Sequence, residues 1–286
     1  MEEKNFVSGS TLYLVATPIG NMYDISLRAM DVLRKVDFIA AEDTRVTMKL
    51  LQRLEIKKEL VSYYEHNKKE RGIEIVNRLM NGESCALVTD AGTPAISDPG
   101  EDLVVLCSEN NVNVVGIPGP CAAVNALTLS ALPTGKFVFE GFLPVKGKER
   151  RERLEFLSKE ERTMILYEAP HKLNATLLDI CKHFGGDRRI ALCRELTKLN
   201  EEVIRTTLSE AIAFYSDKQP KGEFVMIIEG TSEQPNDEPM TDDIILKKID
   251  EYISDGRSSS DAVKTVSKDF GLPKNTVYSL YLSSKE

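Results

Sequence analysis

Residue types that build metal and redox sites are scarce in this chain of 286 residues. It has three histidines, no tryptophan, and five cysteines without a CxxC pair. This composition argues against a metal cluster and predicts buried, reduced thiols, as expected of a cytoplasmic protein. No apolar run approaches the length of a membrane span, so we expect no membrane partner.

Two nucleotide-binding signatures are also missing. The first predicted loop, Thr17–Asn21, is not GxGxxG, which disfavours a Rossmann dinucleotide site, and no Walker A segment occurs. The formal net charge of −8 gives no global sign of nucleic-acid binding, so any such partner must be engaged by a local patch. With 42% hydrophobic residues, the chain suits one large or two medium globular domains.

What is present is a repeated arrangement of a short apolar strand followed by a loop of small and acidic residues. In the clearest case, the buried strand Ala86–Val88 ends in a segment with two prolines, two glycines and two aspartates. Open α/β sheets place ligand sites at such loops, outside the carboxyl ends of their strands. Loops of this kind are predicted to share one cleft: Thr17–Asn21, Glu42–Arg45, Thr89–Gly100 and Pro118–Ala122.

The alternation of strands and helices predicts an α/β fold with two α/β domains. Residues 1–142 should hold a parallel sheet, and residues 143–232 a mixed one, with Gly141–Gly147 as the linker. Residues 241–286 should form a small C-terminal helical unit whose helices and turns are spaced as in a helix-turn-helix. The alternative for this unit is a helical appendage that closes the fold or a dimer.

Seven motifs, in order, carry a resemblance to a known family: Thr17–Asn21, Ala41–Arg45, Val88–Gly100, Pro118–Pro120, Glu140–Pro144, Glu168–His171 and Arg194–Lys198. Over essentially its whole length the chain resembles the ribosomal RNA small subunit methyltransferase I family, within the tetrapyrrole methylase superfamily. The resemblance implies that S-adenosylmethionine, which leaves as S-adenosylhomocysteine, methylates the ribose 2′-hydroxyl of a decoding-centre cytidine, cytidine 1402 of 16S rRNA. It also implies a cofactor folded into the cleft between two α/β domains, a homodimer, and a partly assembled small ribosomal subunit as substrate.

The cofactor contacts of the superfamily can be carried over to nine positions of this sequence. Cys121 is the clearest departure, because serine or threonine is more usual there. The nine positions are Pro18, Asp90, Ala91, Gly92, Ile96, Cys121, Ala122, Glu168 and Thr197.

A ribose hydroxyl is a poor acid, so a general base or a neighbouring cation should assist its methylation. The candidates at the cleft loops are Glu42, Asp43, Arg45, Glu195 and Lys198. We favour Asp43 as the base or as an orienting group, and Lys198 or Arg45 as the stabilising charge. The alternative for Glu42 and Arg45 is a structural ion pair that braces the loop.

RNA contact must come from local cation density. The segment Lys146–Arg153 has five positive and two negative side chains, although a solvated helix face is the commoner fate of such a run. For His171, helix capping is favoured over catalysis, because Pro170 places it in the first helical turn. The predicted RNA contacts are Lys146, Lys148, Arg150, Arg151, Arg153 and, from a family motif, His66.

Two other functions stay open. One is methylation of a tetrapyrrole or another small molecule, but the tetrapyrrole branch carries a GxGxGD-type first loop that Thr17–Asn21 lacks. The other is a non-enzymatic RNA- or ribosome-binding module with a vestigial cleft, against which Asp90 and Gly92 speak. Failure to bind S-adenosylmethionine would eliminate both enzymatic functions.

Overall fold

A computed structural model describes residues 6–231, 241–254, 257–270 and 272–284. The chain divides into two compact units, Met1–Thr231 and Ser232–Glu286. The first unit contains both sheets. The predicted end of the second domain, at residue 232, lies outside the described residues.

The first sheet is parallel, as predicted, and has five strands. They are β1 (Thr11–Val15), β2 (Phe38–Ala41), β3 (Glu59–Ser62), β4 (Ser84–Val88) and β5 (Asn113–Ile117), in the order β3-β2-β4-β1-β5. The central strands are buried on both faces, which explains their nearly continuous apolar sequences. The sequence pattern missed β3, because only two apolar residues stand between Glu59 and Ser62.

Crossover helices cover both faces of this sheet. They are α1 (Leu27–Lys35), α2 (Thr44–Arg53), α3 (Lys68–Met80) and α4 (Gly100–Glu109). One core joins side chains of α3 and α4 to Leu12, Phe38 and Leu87, and the other joins α1 and α2 to Val15 and Ile39. Successive strand residues thus point to opposite faces. Because the five strands are parallel, all the loops that follow them leave the sheet at one edge.

The second sheet is mixed, as predicted. Its strands are β6 (Phe137–Phe142), β7 (Thr163–Glu168), β8 (Arg189–Arg194), β9 (Glu202–Thr207) and β10 (Phe224–Ile228), in the order β6-β7-β10-β8-β9. Only the β6–β7 pair is parallel. One face packs against α6 (Gly147–Ser158), α7 (Leu173–Phe184) and α8 (Leu208–Tyr215), and the other against α5 (Ala122–Leu129).

The position of β6 corrects the predicted boundary at residue 142. That boundary assigned β6 to the first domain, but the strand pairs with β7 and so belongs to the second sheet. Gly141 and Phe142, predicted to start the linker, are its last two residues. The chain therefore leaves the first sheet after β5, and α5 already packs on the second sheet.

The second unit is helical, as predicted, although residues 255, 256, 271, 285 and 286 of the predicted segment lie outside the described part. It contains α9 (Asp242–Ser254), α10 (Ser259–Asp269) and α11 (Lys274–Ser283). These helices bury a core of their own that includes Ile249, Val263 and Val277. In the described ranges of the chain, no helix combines the length and the apolar character needed to cross a membrane.

Candidate active site

The four convergent loops are numbered in chain order. The first, Thr17–Asn21, is joined to the third, Thr89–Gly100, by two backbone hydrogen bonds. The Thr17 amide donates to the Gly92 carbonyl at 2.9 Å, and the Gly92 amide donates back to the Thr17 carbonyl at 3.0 Å. Gly92 has a φ of +89°, and a Cβ built there would lie 3.3 Å from Cγ2 of Ile19. Glycine therefore gives the third loop both its backbone conformation and its close approach to the first.

The second and fourth loops are also tied to the third. The Asp43 amide donates to Oδ1 of Asp90 at 3.1 Å, and the Thr93 hydroxyl donates to the Pro120 carbonyl at 2.9 Å. Loops from four strands thus meet at one edge of the first sheet, which is the convergence predicted from the sequence. The third loop, between β4 and α4, is the centre of this arrangement.

Between these loops and the second sheet lies a cavity of about 440 Å³. Its volume is within the usual range for a small-molecule site. The second sheet contributes Phe142, Tyr167 and residues 223–225 to its walls. Six of the nine predicted cofactor positions line it: Ala91, Gly92, Ile96, Cys121, Ala122 and Glu168.

The other three predicted cofactor positions lie outside the cavity wall. Pro18 and Asp90 line a smaller neighbouring cavity of about 170 Å³, whose wall shares Thr89 with the larger one. Thr197 is absent from the described lining of either cavity, but its hydroxyl accepts the Asn21 amide at 3.2 Å. It therefore holds the first loop against the second sheet.

Cys121 is the N-cap residue of α5 and makes no side-chain capping hydrogen bond. A serine or threonine at this position would be able to cap the helix, since these side chains are preferred N-caps. The departure noted in the sequence thus removes a capping group but leaves a small side chain at the cavity wall.

The charged residues of the cavity wall are all acidic. Glu42, Asp98, Glu168 and Glu223 line it, and no lysine, arginine or histidine does so among the described residues. Burial is the main reason why the pKa of Asp98 is raised, and the charge of Glu42 adds to it. Such a cavity attracts a cationic ligand and disfavours an anionic one.

Asp98 was not among the predicted site residues. Its Oδ1 accepts the amides of Ala95 at 3.0 Å and Gly100 at 2.7 Å. The sequence signal was present in Ser97-Asp98-Pro99, but an aspartate before proline also indicates a turn. Here the same carboxylate shapes the turn and faces the cavity.

Four of the eight non-glycine residues that have positive φ in the described part of the chain lie in two loops near this cavity, and Ser97 lines it. Ala95 and Ser97 have φ values of +64° and +61° in the third loop, and Glu195 and Thr197 have +52° and +65° after β8. Left-handed backbone is unfavourable for such residues and persists where the surrounding structure imposes it. The strain thus marks two loops that are held in fixed shapes on either side of the candidate site.

Glu42 and Asp43, both predicted as catalytic candidates, have different partners. Glu42 lines the cavity, and its Oε2 accepts the Thr89 hydroxyl at 2.6 Å. Asp43 is the N-cap of α2, and its Oδ2 lies 2.6 Å from Nη2 of Arg45. Hydrogen bonds from the Arg45 side chain and amide lower the pKa of Asp43 to about 2. The ion pair expected as an alternative therefore forms between Arg45 and Asp43, and not with Glu42.

The two predicted cations lie at the rim of the site. The Arg45 side chain is 86% exposed, although it is paired with Asp43. Lys198 packs against Gly20 of the first loop, and its Nζ lies 2.9 Å from Oε1 of Glu195 and 3.1 Å from Oε2 of Glu223. Burial lowers the pKa of Lys198, but the hydrogen bonds to Glu195 and Glu223 outweigh it, so its pKa is raised. Lys198 thus carries its charge next to a cavity-lining carboxylate.

The basic segment predicted to contact RNA has two kinds of arginine. Arg150, whose side chain is 12% exposed, donates to Asp179 at 2.8 Å, to the Pro144 carbonyl at 2.9 Å and to the Thr176 hydroxyl at 2.9 Å. Arg153 pairs with the buried carboxylate of Glu140. Both guanidinium groups have carboxylate partners within the protein, and that of Arg150 is also largely buried, which argues against its predicted role in RNA binding.

Three cations of this segment remain on the surface. Lys146, Lys148 and Arg151 are exposed, and Lys148 has only a 3.4 Å ion pair with Glu152. His66 is also exposed and packs edge-on against Tyr64, with a ring separation of 6.1 Å. These four side chains are the predicted RNA contacts that are exposed, whereas the Arg153 side chain is 40% exposed but paired with Glu140.

Arg150 is connected to the cavity through two further side chains. Oε1 of Glu168 accepts the Ala169 amide at 2.8 Å, and its Oε2 accepts the Thr176 hydroxyl at 2.5 Å. The same hydroxyl accepts Nη2 of Arg150. Because Glu168 and Thr176 are buried, this chain of hydrogen bonds fixes the carboxylate at the cavity wall. His171 is exposed in the single 3-10 turn Pro170–Lys172 that follows.

In the ranges that the structure describes, no group of three or more histidine, cysteine, aspartate or glutamate residues is arranged to hold a metal ion. The acidic residues of the cavity instead have hydroxyl, amide and lysine partners.

Comparison with known proteins gives consistent matches. The family described as Tetrapyrrole (Corrin/Porphyrin) Methylases matches residues 11–212. The chain is 46% identical to the ribosomal RNA small subunit methyltransferase I of Synechocystis sp., covering 95% of this chain and 97% of that protein. It is also 46% identical to the protein of that name from Halalkalibacterium halodurans, covering 95% and 94%. A crystal structure of diphthine synthase shares the fold, with a TM-score of 0.59, 13% identity, and coverage of 77% of this chain and 90% of that one.

Proposed function

The chain belongs to the tetrapyrrole methylase family and, within it, to the ribosomal RNA small subunit methyltransferase I family, and from this membership we propose that it is an S-adenosylmethionine-dependent methyltransferase of ribosomal RNA. The observation that carries the proposal is the cavity of about 440 Å³ at the convergent loops, whose charged lining is acidic. An anionic cofactor would find no cation in that lining, whereas a cationic methyl donor would be attracted by its carboxylates.

The residues of the cavity fit S-adenosylmethionine in shape as well as in charge. Gly92 leaves its backbone open to close approach, and Ala91 and Ala122 add little bulk to the wall. Phe142 and Tyr167 offer apolar ring surface on the opposite side. We assign the cofactor to these residues and to Ile96, Cys121 and Glu168. Pro18, Asp90 and Thr197 support the loops that enclose it.

We further propose that the acceptor is the ribose 2′-hydroxyl of cytidine 1402 in 16S rRNA. When bound, the cofactor supplies an activated methyl group on a positively charged sulfonium. The chain must then align the hydroxyl with that methyl group, and alignment of well-oriented reactants contributes up to about 7–11 kcal/mol. It must also accept the proton of the hydroxyl, which typically adds a factor on the order of 10²–10⁴.

Glu42 is the carboxylate best suited to accept that proton. It lines the cavity, and no cationic side chain of the described residues pairs with it. Asp43 is a poor base, because Arg45 holds its pKa at about 2. We therefore assign Asp43 to the orientation of Arg45, whose exposed guanidinium can meet an RNA phosphate. We assign Lys198, whose ammonium pairs with the cavity-lining Glu223, to the stabilisation of the developing alkoxide.

For the RNA surface, we propose Lys146, Lys148, Arg151 and His66, because these side chains are exposed. We also propose that the enzyme acts as a homodimer on a partly assembled small ribosomal subunit. Phe142, the last residue of the edge strand β6, and Val145, in the segment that follows it, are exposed apolar side chains that a second copy would cover. The five free cysteines fit a cytoplasmic location.

The decisive experiment maps ribose methylation in 16S rRNA from cells that lack this chain. We expect one 2′-O-methyl mark in the decoding centre to be missing, and the purified protein with S-adenosylmethionine to restore it on small ribosomal subunits. Glu42→Gln, matched in size and lacking the charge, serves as the inactive control. An unchanged methylation map, or no binding of S-adenosylmethionine in calorimetry, would refute the proposal.

A further inference from the structure

A second concave site lies on the first unit, at the end of the second sheet. It has a volume of about 280 Å³ and is formed by the end of β8, the start of β9 and the segment after α8. We call it the basic cleft and define it by Arg194, Glu202, Phe214, Tyr215, Lys218 and Lys221. None of the functions assigned above uses these side chains.

The basic cleft has an excess of positive charge. Arg194 is partly neutralised by Glu202, with Nε 3.1 Å from Oε2. Lys218 and Lys221 have no carboxylate at ion-pair distance among the described residues. Two uncompensated ammonium groups in one cleft contrast with the net charge of −8 for the whole chain. This charge suits an anion.

An aromatic surface accompanies the cations. Phe214 is 41% exposed, and Nζ of Lys218 lies 3.2 Å from the centre of its ring. Aromatic faces beside basic groups are the usual surface for single-stranded nucleic acid, because bases stack on the rings while cations meet the phosphates. A free inorganic anion has no base or other flat surface that could stack on the Phe214 ring.

The cleft also holds a hydrogen-bonding group without a partner. Tyr215 is 5% exposed, and its hydroxyl has no hydrogen-bond partner in the described structure. Burial raises the pKa of Tyr215, the charge of Glu202 adds to this increase and that of Arg194 opposes it. All three residues line the cleft. Buried hydroxyls are nearly always hydrogen-bonded, so this one indicates a missing acceptor. A phosphate oxygen is such an acceptor.

The basic cleft and the large cavity adjoin each other at paired positions of the neighbouring strands β8 and β10. Phe224 lines the cavity, and its ring lies 5.9 Å from that of Tyr215 in the cleft. Arg194 is the cross-strand neighbour of Phe224 in the β8–β10 pair. Because Phe224 and Tyr215 are both buried, this ring contact places the two sites close together within the second sheet.

We propose that the basic cleft binds a phosphodiester of the RNA strand beside the nucleotide that is methylated. Lys218 and Lys221 meet the phosphate, the Tyr215 hydroxyl donates to it, and Phe214 stacks with an adjacent base. This inference rests on the proposed function, because it takes the large cavity as the methylation site.

The test uses the full chain, S-adenosylmethionine, and small ribosomal subunits or a 16S rRNA fragment that contains the decoding-centre cytidine. In the double variant Lys218→Gln, Lys221→Gln, we expect RNA affinity to fall about tenfold. The slope of log affinity against log salt should decrease in magnitude by roughly 1 to 1.5. The KM for RNA should rise, whereas kcat and cofactor affinity should stay the same. The matched control is Lys57→Gln. Lys57 is an exposed lysine that precedes β3, an edge strand of the first sheet, and it is not part of the basic cleft.

Tyr215→Phe separates a ligand contact from a structural role. It should lower RNA affinity about threefold to tenfold, because one hydrogen bond to phosphate is lost. The free protein should unfold at the same or a higher denaturant concentration, because an unsatisfied buried hydroxyl has been removed.

Wild-type RNA affinity and salt dependence in the folded double variant, or wild-type affinity in Tyr215→Phe, would overturn this assignment. If the wild-type chain methylates RNA while these variants behave like it, only the basic cleft is refuted. If the wild-type chain binds neither S-adenosylmethionine nor RNA, the proposed function fails as well.

Discussion

At the scale of single residues, Glu42 and Asp43 show how neighbouring carboxylates acquire different chemistry. The sequence identifies both as candidates, because both follow β2 in a loop that reaches the site. It cannot tell that the Asp43 side chain turns back to cap α2 and to bind Arg45, while Glu42 faces the cavity. That distinction depends on side-chain direction at the strand-to-helix turn. It decides which of the two is available as a base.

We expect Glu42→Gln to lower the turnover number by at least about a hundredfold, because the proposed proton acceptor is removed. Asp43→Asn should cost much less, since asparagine can still cap α2. Single-turnover methylation of small subunits measures the effect on chemistry, and calorimetry checks cofactor binding. A larger loss in Asp43→Asn than in Glu42→Gln would exchange the two roles.

The Asp43–Arg45 pair also predicts a pH dependence of stability. The pKa of Asp43 is lowered from 3.8 to about 2 in the folded chain, so its contribution to stability is fully present above pH values near 4. This contribution is lost as the pH falls toward 2. The difference in urea midpoint between the wild type and Asp43→Asn should therefore be constant above about pH 5 and shrink at lower pH. A difference that grows on acidification would contradict the assigned pairing.

At the scale of helices and strands, the sequence shows the periodicity of each element. It does not show which element or side chain each one pairs with. Continuous apolar strands followed by small-residue loops predicted the parallel sheet and the convergence of its loops. The same pattern could not assign β6 to a sheet, because pairing with β7 depends on tertiary contacts. It also counted the charges of α6 without showing that Arg150 and Arg153 are held by Asp179 and Glu140. Two of the five cations of Lys146–Arg153 therefore have carboxylate partners outside α6.

Arg150 and Arg151 provide a direct test on α6. Arg150→Met should lower the free energy of unfolding by about 2–4 kcal/mol, because it leaves Asp179, Thr176 and a carbonyl without their charged donor. Arg151→Glu should change stability by less than about 0.5 kcal/mol and should weaken RNA binding.

Urea unfolding and RNA titration at several salt concentrations distinguish the two variants of α6. Because Arg150 acts through Thr176 on Glu168, the first variant should also weaken cofactor binding. A stable Arg150→Met protein with normal cofactor affinity and weak RNA binding would return Arg150 to the RNA surface.

At the scale of the whole molecule, the distribution of charge matters more than its sum. The chain is acidic, with a net charge of −8, yet its partner is proposed to be a polyanion. Acidic groups line the large cavity, which suits a cationic cofactor. The cations lie in the basic cleft, which adjoins the cavity at the paired residues Arg194 and Phe224. Composition alone therefore excluded only uniform attraction to nucleic acid. It left open a local arrangement that a folded structure can provide.

The division of the chain into two units predicts where cofactor binding resides. Every described residue of the large cavity lies between Ile19 and Val225, within the first unit, and the second unit has its own core. A chain that ends at Thr231 should therefore bind S-adenosylmethionine with the affinity of the full chain. At a cofactor concentration of a hundred times Kd, it should gain about 2.7 kcal/mol of stability. Calorimetry and thermal melting measure both quantities. A folded truncated protein with at least tenfold weaker binding would show that the second unit contributes to the cofactor site.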